Sequence, residues 1–337
     1  MTTSAPHLRE NLLTPRFYTT EIEKAAKTDL VGQLAAFEAM LNEMEADYNR
    51  DHFDRKAPLD RLRVLNPDEK VAYASYLVRS CVSEFSGFLL FKELSRQLQK
   101  AGRPELSRLF NLMARDEARH AGFLNRALVA EGIEIDLPAL SGKRPITWFP
   151  LSWVLYSVYL SEKIGYWRYI LIDRHLKAHH ENDFAPLFDF FEPWCQDENR
   201  HGDIFNMLLR CWPGLRQGLR GRLLSRIFLW SVFLTHSLTV CERGNFYKLL
   251  GMDRHHEQHR SGAEGQASRH HLHPLPKGGQ GSRRPHAIAP EDGTIGWLSW
   301  RNSKPAKRAF RPRDFSNRAG LAGSSALDLI ARNTSTS

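Results

Sequence analysis

The sequence predicts an all-α fold: a four-helix bundle that carries a dinuclear metal site, with extra helices around it. Three observations predict it. From Asn66 to Gly251 long segments place apolar residues at helical spacing, with almost no strand-like alternation. One short pattern occurs twice, as Asp116-Glu117-Ala118-Arg119-His120 and Asp197-Glu198-Asn199-Arg200-His201. Each copy follows an upstream glutamate in apolar surroundings: Glu84 lies 33 residues before Glu117, and Glu162 lies 36 residues before Glu198.

The elements follow from local signals. Residues 1–65 read as a polar N-terminal extension with one helix, Ala35–Tyr48, whose Phe37, Met40, Leu41 and Met44 share a stripe. Asn66-Pro67-Asp68-Glu69 is a helix start, with proline early and acids in the first turn. That helix runs to about Lys100, where Ala101-Gly102-Arg103-Pro104 breaks it. A second runs from Glu105 to about Glu131, and Gly142-Lys143-Arg144-Pro145 marks the next break. A third, strongly aromatic helix is expected over Thr147–Ala178, and a fourth over Asp183–Cys211 with a kink at Pro193. A fifth is expected from Leu219 to Leu250. The bundle domain is thus 66–251, and 252–337 is a low-complexity basic tail expected to stay disordered.

Charge and composition exclude several classes. Of the net charge of +9, residues 253–337 contribute +7, from 14 Lys and Arg against 7 Asp and Glu. The basicity belongs to the tail, so no nucleic-acid partner is expected. The tail histidines His255, His256, His259, His270, His271 and His273 read as solvated composition rather than a metal tract. Cys81, Cys195, Cys211 and Cys241 lack C-x-x-C pairing and read as reduced packing residues. Met1–Thr20 has no apolar core or cleavage site of a secretory signal. The apolar stretches Ile146–Leu160 and Ile227–Val240 fall short of the ~18–20 residues a membrane span needs. They are expected to be buried or to touch a membrane surface.

A Glu-x-x-His spacing puts carboxylate and imidazole on one helix face. Two copies with two upstream glutamates form the ligand set Glu84, Glu117, His120, Glu162, Glu198 and His201. Four carboxylates and two imidazoles suit two divalent ions, Fe(II) or Mn(II), with iron expected. Their four negative charges balance two 2+ ions, which explains four glutamates inside a bundle. Asp116 and Asp197 are expected to accept the other N–H of each imidazole, with Arg119 and Arg200 holding them. Cys81 and Cys195 read as small core residues. His236 reads as a core histidine rather than an axial ligand to a metallo-macrocycle. Trp148, Trp153, Tyr156, Tyr159, Tyr166 and Trp167 form a stripe read mostly as bundle packing, with a flat apolar substrate pocket as the alternative.

A di-iron carboxylate site activates O2, and the residues leave several outcomes open: oxygenation, desaturation, radical generation, peroxide scavenging or iron storage. Leu124 occupies the place where a tyrosyl-radical ribonucleotide reductase subunit has tyrosine, and the C-x-x-C knuckles of a rubrerythrin are missing. Ferritins are about half this length and seldom so aromatic in the third helix. Oxidation of a bulky apolar substrate is the expected class.

Six runs carry a closer resemblance: Asn66-Pro67-Asp68-Glu69-Lys70, Ser83-Glu84-Phe85-Ser86-Gly87-Phe88-Leu89-Leu90, Met113-Ala114-Arg115-Asp116-Glu117-Ala118-Arg119-His120-Ala121-Gly122-Phe123, Trp148-Phe149-Pro150-Leu151-Ser152-Trp153, Glu162-Lys163-Ile164-Gly165-Tyr166-Trp167-Arg168 and Trp194-Cys195-Gln196-Asp197-Glu198-Asn199-Arg200-His201-Gly202. From about residue 11 to about residue 251 the chain resembles the aerobic magnesium-protoporphyrin IX monomethyl ester oxidative cyclases, ferritin-like di-iron enzymes. The resemblance implies an O2-dependent monooxygenase-type step of chlorophyll and bacteriochlorophyll biosynthesis. It implies electrons from NADPH through a ferredoxin-type carrier and, in some cases, a small accessory subunit. It also implies peripheral contact with the cytoplasmic side of a photosynthetic membrane. Two other readings stay open: a di-iron hydroxylase or desaturase on a lipid or quinone, and a non-catalytic ferritin-like metal-binding relative. After Leu249-Leu250-Gly251-Met252-Asp253 the family continues with a folded, acidic and aromatic segment, whereas here the basic tail follows. A shifted reading frame or a divergent terminus is the reading for that departure, with all six expected ligands before it.

Overall fold

A computed structural model describes residue 11 and residues 13–53, 58–61 and 63–252. The tail expectations, histidine cluster included, lie outside these residues. In chain order the elements are β1 (Phe17–Thr20), α1 (Ile22–Ala26), α2 (Leu34–Ala46), α3 (Pro67–Lys100), α4 (Pro104–Ala130) and α5 (Leu137–Lys143). Then come β2 (Ile146–Phe149), α6 (Leu151–Ala178), α7 (Phe191–Arg210), α8 (Pro213–Arg216), α9 (Gly218–Glu242) and α10 (Gly244–Leu249). Two antiparallel hairpins, α3 with α4 and α6 with α7, make the four-helix bundle.

The first hairpin is set by its ends. Asn66 accepts a hydrogen bond from the Glu69 amide at 2.9 Å, and Glu69 accepts one from the Asn66 amide at 2.9 Å, a reciprocal cap. At the turn Gly102 adopts φ +73°, and the Arg103 amide reaches back to the Leu98 carbonyl at 2.9 Å. This closes the α3 C-terminus with the left-handed residue that glycine tolerates best. Leu77, Cys81, Phe88, Phe91 and Leu98 on α3 meet Leu106, Met113, Ala121, Leu124 and Leu128 on α4 in the core.

Four expectations are corrected here. The aromatic third helix does not begin at Thr147. Ile146–Phe149 is extended and pairs in parallel with β1, Phe17 opposite Ile146 and Thr20 opposite Phe149. The residue before a proline is pushed away from helical backbone, and Pro150 therefore delays α6 to Leu151. Glu21, just after β1, then accepts the Leu151 amide at 2.9 Å, so a distant segment caps this helix. Pro193 makes no kink. A 3-10 turn over Pro186–Phe190 precedes α7, which puts Pro193 in the first helical turn, where its missing N–H has no partner to lose. The fifth helix breaks at Arg243 into α9 and α10.

The fourth correction concerns α9. Its 25 residues are long and apolar enough to cross a membrane by length and composition. Most of the helix is exposed rather than buried: Leu219 is 83% exposed, Trp230 70% and Leu234 60%. Counting uninterrupted apolar residues underestimated it, because Ser, Thr and His interrupt the run without interrupting the helix.

Candidate metal centre

Each bundle helix brings a carboxylate to the interior: Glu84 from α3, Glu117 from α4, Glu162 from α6 and Glu198 from α7. All four glutamates are buried, and His120 and His201 are fully so. The ligand atoms fall into two groups, Glu84 with His120 and Glu198, and Glu117 with Glu162 and His201, each within 4.8 Å. The arrangement is crossed. Each Glu-x-x-His pair gives its histidine to one group and its glutamate to the other, which sets the motif glutamates between the two positions. Glu117 feels the charges of both Glu84 and Glu162, and Glu198 feels those of Glu84, Glu162 and Glu117.

A ring of polar groups surrounds this cluster, also crossed. His120 Nε2 lies 3.1 Å from Asp197, and His201 Nε2 lies 3.5 Å from Asp116, so each imidazole faces the aspartate of the other motif. This leaves His120 Nδ1 and His201 Nδ1 turned to the carboxylates, 3.4 Å from Glu84 and 3.2 Å from Glu117, without a hydrogen bond of their own. Buried nitrogens with no donor or acceptor partner, facing carboxylate oxygens, fit metal ions between them.

The two motif arginines take different partners. Arg200 contacts Asp197 directly. Asp116 is held by Arg115 at 2.9 Å, while Arg119, 3.8 Å away, turns to Asp47 at 2.9 Å. Asp47 adopts φ 48° at the end of α2, and the chain beyond it folds over the histidines. Asn49 donates to Asp197 at 2.7 Å, and Phe53 packs against His120 and Trp194 with ring centroids 5.4 and 5.8 Å away. The motif sequences contain no trace of Asp47, Asn49 or Phe53, because they lie more than sixty residues upstream in a polar segment.

Two glycines repeat beside the upstream glutamates. In Ser83-Glu84-x-x-Gly87 and Ser161-Glu162-x-x-Gly165 glycine follows the upstream glutamate by one turn. A Cβ at Gly87 would stand 2.8 Å from the Glu117 carboxylate, and one at Gly165 would overlap that of Glu198. These close approaches need glycine. The duplicated Ser-Glu-x-x-Gly was visible in the sequence, but only packing explains it.

The two groups differ in their neighbours. Tyr169 donates to Glu84 at 2.9 Å and the Trp194 indole to Glu198 at 2.9 Å, both in the group with His120. Trp194 also stacks on His120, centroids 4.6 Å apart. On the other side Tyr18 of β1 is the near tyrosine; burial and the Glu162 and Glu117 charges push its phenol up.

Protons settle where the charges demand. Burial raises Glu117 and Glu198 well above the usual carboxylate range, and neighbouring carboxylates add to it. Burial works against charge on His120, but Asp197 and Glu84 outweigh it and lift the imidazole to about 9. His201 is raised in the same way by Asp116 and Glu117. Burial also opposes ionisation of Asp116 and Asp197, yet contacts with the opposite histidines hold both below the ordinary range. The metal-free cluster thus keeps protons that two cations would displace.

Other expected residues take quieter places. Cys81 donates to the Ala121 carbonyl and Cys195 to the Glu192 carbonyl, so both are buried packing thiols; burial pushes Cys195 up to about 12. His236 is half-buried on α9 rather than in the core. Of the aromatic stripe, Tyr156 is buried and bonds the Leu215 carbonyl at 2.6 Å, while Trp148, Trp153 and Trp167 are exposed. The stripe is therefore partly surface.

Comparison with known proteins agrees with this geometry. A rubrerythrin family model matches residues 75–209. Over 248 residues the chain is 72% identical to a magnesium-protoporphyrin IX monomethyl ester oxidative cyclase of Prochlorococcus marinus, covering 74% of this chain and 72% of that protein. It is 60% identical over 254 residues to one from Thermosynechococcus vestitus (74% and 71% covered) and 53% identical over 247 residues to one from Synechocystis sp. (73% and 69% covered). No solved structure matches. A ferritin-like bundle with paired carboxylate and histidine groups, at this identity over this much of both chains, places the protein in the magnesium-protoporphyrin IX monomethyl ester oxidative cyclase family.

Proposed function

We propose that the chain is the oxidoreductase that converts Mg-protoporphyrin IX 13-monomethyl ester to divinyl protochlorophyllide in chlorophyll or bacteriochlorophyll biosynthesis. The methyl-propionate arm is oxidised with O2 in successive steps and closes onto the macrocycle as the isocyclic ring. The 72% identity to a relative bearing that name is the observation that carries the reading.

Glu84, His120 and Glu198 would hold one iron, and Glu117, Glu162 and His201 the other. Two irons bound there supply the redox chemistry that couples O2 reduction to oxidation of the arm. The chain's own part is to hold the ligands in place. Asp197 and Asp116 orient the imidazoles, Tyr169 and Trp194 aim one oxygen each of Glu84 and Glu198, and Phe53 and Trp194 keep water from the histidines. Electrons come from outside, from NADPH through a ferredoxin-type carrier; the absence of a nucleotide-binding motif in the sequence supports this.

The deciding assay loads full-length protein with iron anaerobically, then adds O2, reductant, Mg-protoporphyrin monomethyl ester and a membrane extract lacking its own catalytic subunit. A protochlorophyllide absorbance band that disappears in Glu117→Ala is expected. Iron bound with no pigment formed from this ester would reject the substrate assignment.

The reading includes peripheral membrane contact through α9, with a small accessory subunit as a further partner at the membrane. Its exposed Trp230, Phe233 and Leu234 offer apolar surface, while Arg220, Arg222 and Arg226 along the same helix suit anionic head groups. Trp230→Glu with Phe233→Glu should lower flotation with phosphatidylglycerol vesicles by about tenfold. Unchanged flotation would remove α9 from the membrane contact.

A further inference from the structure

Arg243, between α9 and α10, is only 9% exposed, yet its Nε and Nη1 have no hydrogen-bond partner among the described residues. Its guanidinium lies 5.3 Å from the centre of the Tyr76 ring. The Tyr76 hydroxyl is buried and equally without a partner, and the Tyr76 ring is stacked on Phe246 at 3.8 Å. Arg168 of α6 is a second guanidinium close enough to depress Arg243 by its charge, after burial itself. Burial and both arginines push the neighbouring His236 down to about 4, so it adds no positive charge near neutral pH.

Neither arginine has a carboxylate at ion-pairing distance among the described residues. Glu242, next in sequence, is taken by Arg79 at 2.7 Å. Glu198 acts on Arg168 only as a distant charge. Other guanidiniums with an unbonded buried nitrogen have partners: Arg61 pairs with Glu131 at 2.6 Å, Arg119 with Asp47 at 2.9 Å and Arg200 with Asp197, while Arg144 donates to the Pro15 carbonyl at 2.9 Å. A buried guanidinium under the charge of a second one, with no counter-ion among the described residues, is costly, and a planar anion accepting from a guanidinium is the chemistry that relieves it.

The place of this pair narrows the anion. Arg168 lies over the Tyr169 ring at 5.9 Å, and the Tyr169 hydroxyl bonds Glu84. Arg168 is thus one side chain away from the candidate metal centre. On the same helix Trp167 and Leu171, one and three residues from Arg168, are exposed. A monomethyl ester of a porphyrin with two propionate arms keeps one free carboxylate, on the pyrrole next to the one bearing the esterified arm. We infer that Arg243 and Arg168, with the Tyr76 hydroxyl, bind that free carboxylate and so present the esterified arm to the metal centre. The inference rests on the cyclase reading and adds the residues that set orientation and specificity.

The test is a fluorescence titration of iron-loaded, anaerobic full-length protein with Mg-protoporphyrin IX monomethyl ester and, separately, with its dimethyl ester. The native chain should prefer the monomethyl ester by at least about tenfold, the scale of a charge-assisted contact. Arg243→Met and Arg168→Met should each reduce that preference toward unity while leaving dimethyl ester affinity and iron content unchanged. Arg243→Lys should restore part of it. Equal affinity of the native chain for both esters, or equal losses for both esters in the variants, would overturn the inference and leave the cyclase reading standing. Binding of neither ester would overturn both.

Discussion

Replacing Gly165 with alanine is expected to lower bound iron by at least about half and turnover by on the order of a hundredfold, while the bundle stays folded. The new Cβ overlaps a Glu198 oxygen, and Glu198 has little freedom to retreat. Its other oxygen accepts from Trp194 at 2.9 Å, and Trp194 is itself wedged between His120 and Tyr169. The helix tolerates alanine better than glycine, so a global loss of stability is not the cause. Gly87→Ala should act in the same direction on Glu117 with a smaller effect, since its clash is at 2.8 Å. Gly122→Ala is the control, because nothing lies within 4 Å of a Cβ there. Iron analysis beside circular dichroism makes the measurement. Full iron content with native turnover in Gly165→Ala would show that Glu198 is not a ligand in this geometry.

The second large effect is on metal-free protein, whose stability should fall as pH rises from about 5 to about 9. Glu117 and Glu198 are raised in the folded state, so their contribution is complete below the ordinary carboxylate range and is lost as pH climbs. His120, lifted from 6.5 to about 9, adds a loss across that interval. From His120 alone this amounts to about 3 kcal/mol, or on the order of 5–10 °C in Tm. Asp116, Asp197 and Glu84 are lowered and act oppositely, withdrawing stability only as pH falls through the acid range. Maximal stability of the metal-free chain therefore falls near pH 5–6, between the two sets. Iron replaces the displaced protons, so the Tm gap between loaded and chelator-treated protein should widen with pH. A gap that is constant from pH 5.5 to 8.5 would contradict proton-coupled metal binding at this cluster.

Much of the helical order was legible because its signals are local. Asn66 and Glu69 cap each other within one turn, Gly102 ends α3 by its own backbone, and Glu117 with His120 share a face through helical spacing alone. Local signals also misled at specific points. Ile146–Phe149 has the composition of a strand, but its partner lies 129 residues away. Helical spacing favours Arg119 over Arg115 as the partner of Asp116, but Asp47, delivered by the end of α2, draws Arg119 away.

The sequence by itself determined the all-α class, the bundle and the six residues that meet inside it, because a repeated three-residue spacing and apolar periodicity are properties of a single helix. Tertiary structure alone decided how those residues are shared: each histidine with the other motif's glutamate and aspartate, glycine where a carboxylate must pass, Asn49 and Phe53 over the imidazoles. It also decided that α9 stands exposed and that Arg243 is buried with no acid at ion-pairing distance among the described residues. The physical reason is range. Backbone hydrogen bonds and helix faces are fixed within a few residues, whereas burial, crossed pairing and an uncompensated charge exist only once separate helices are packed together.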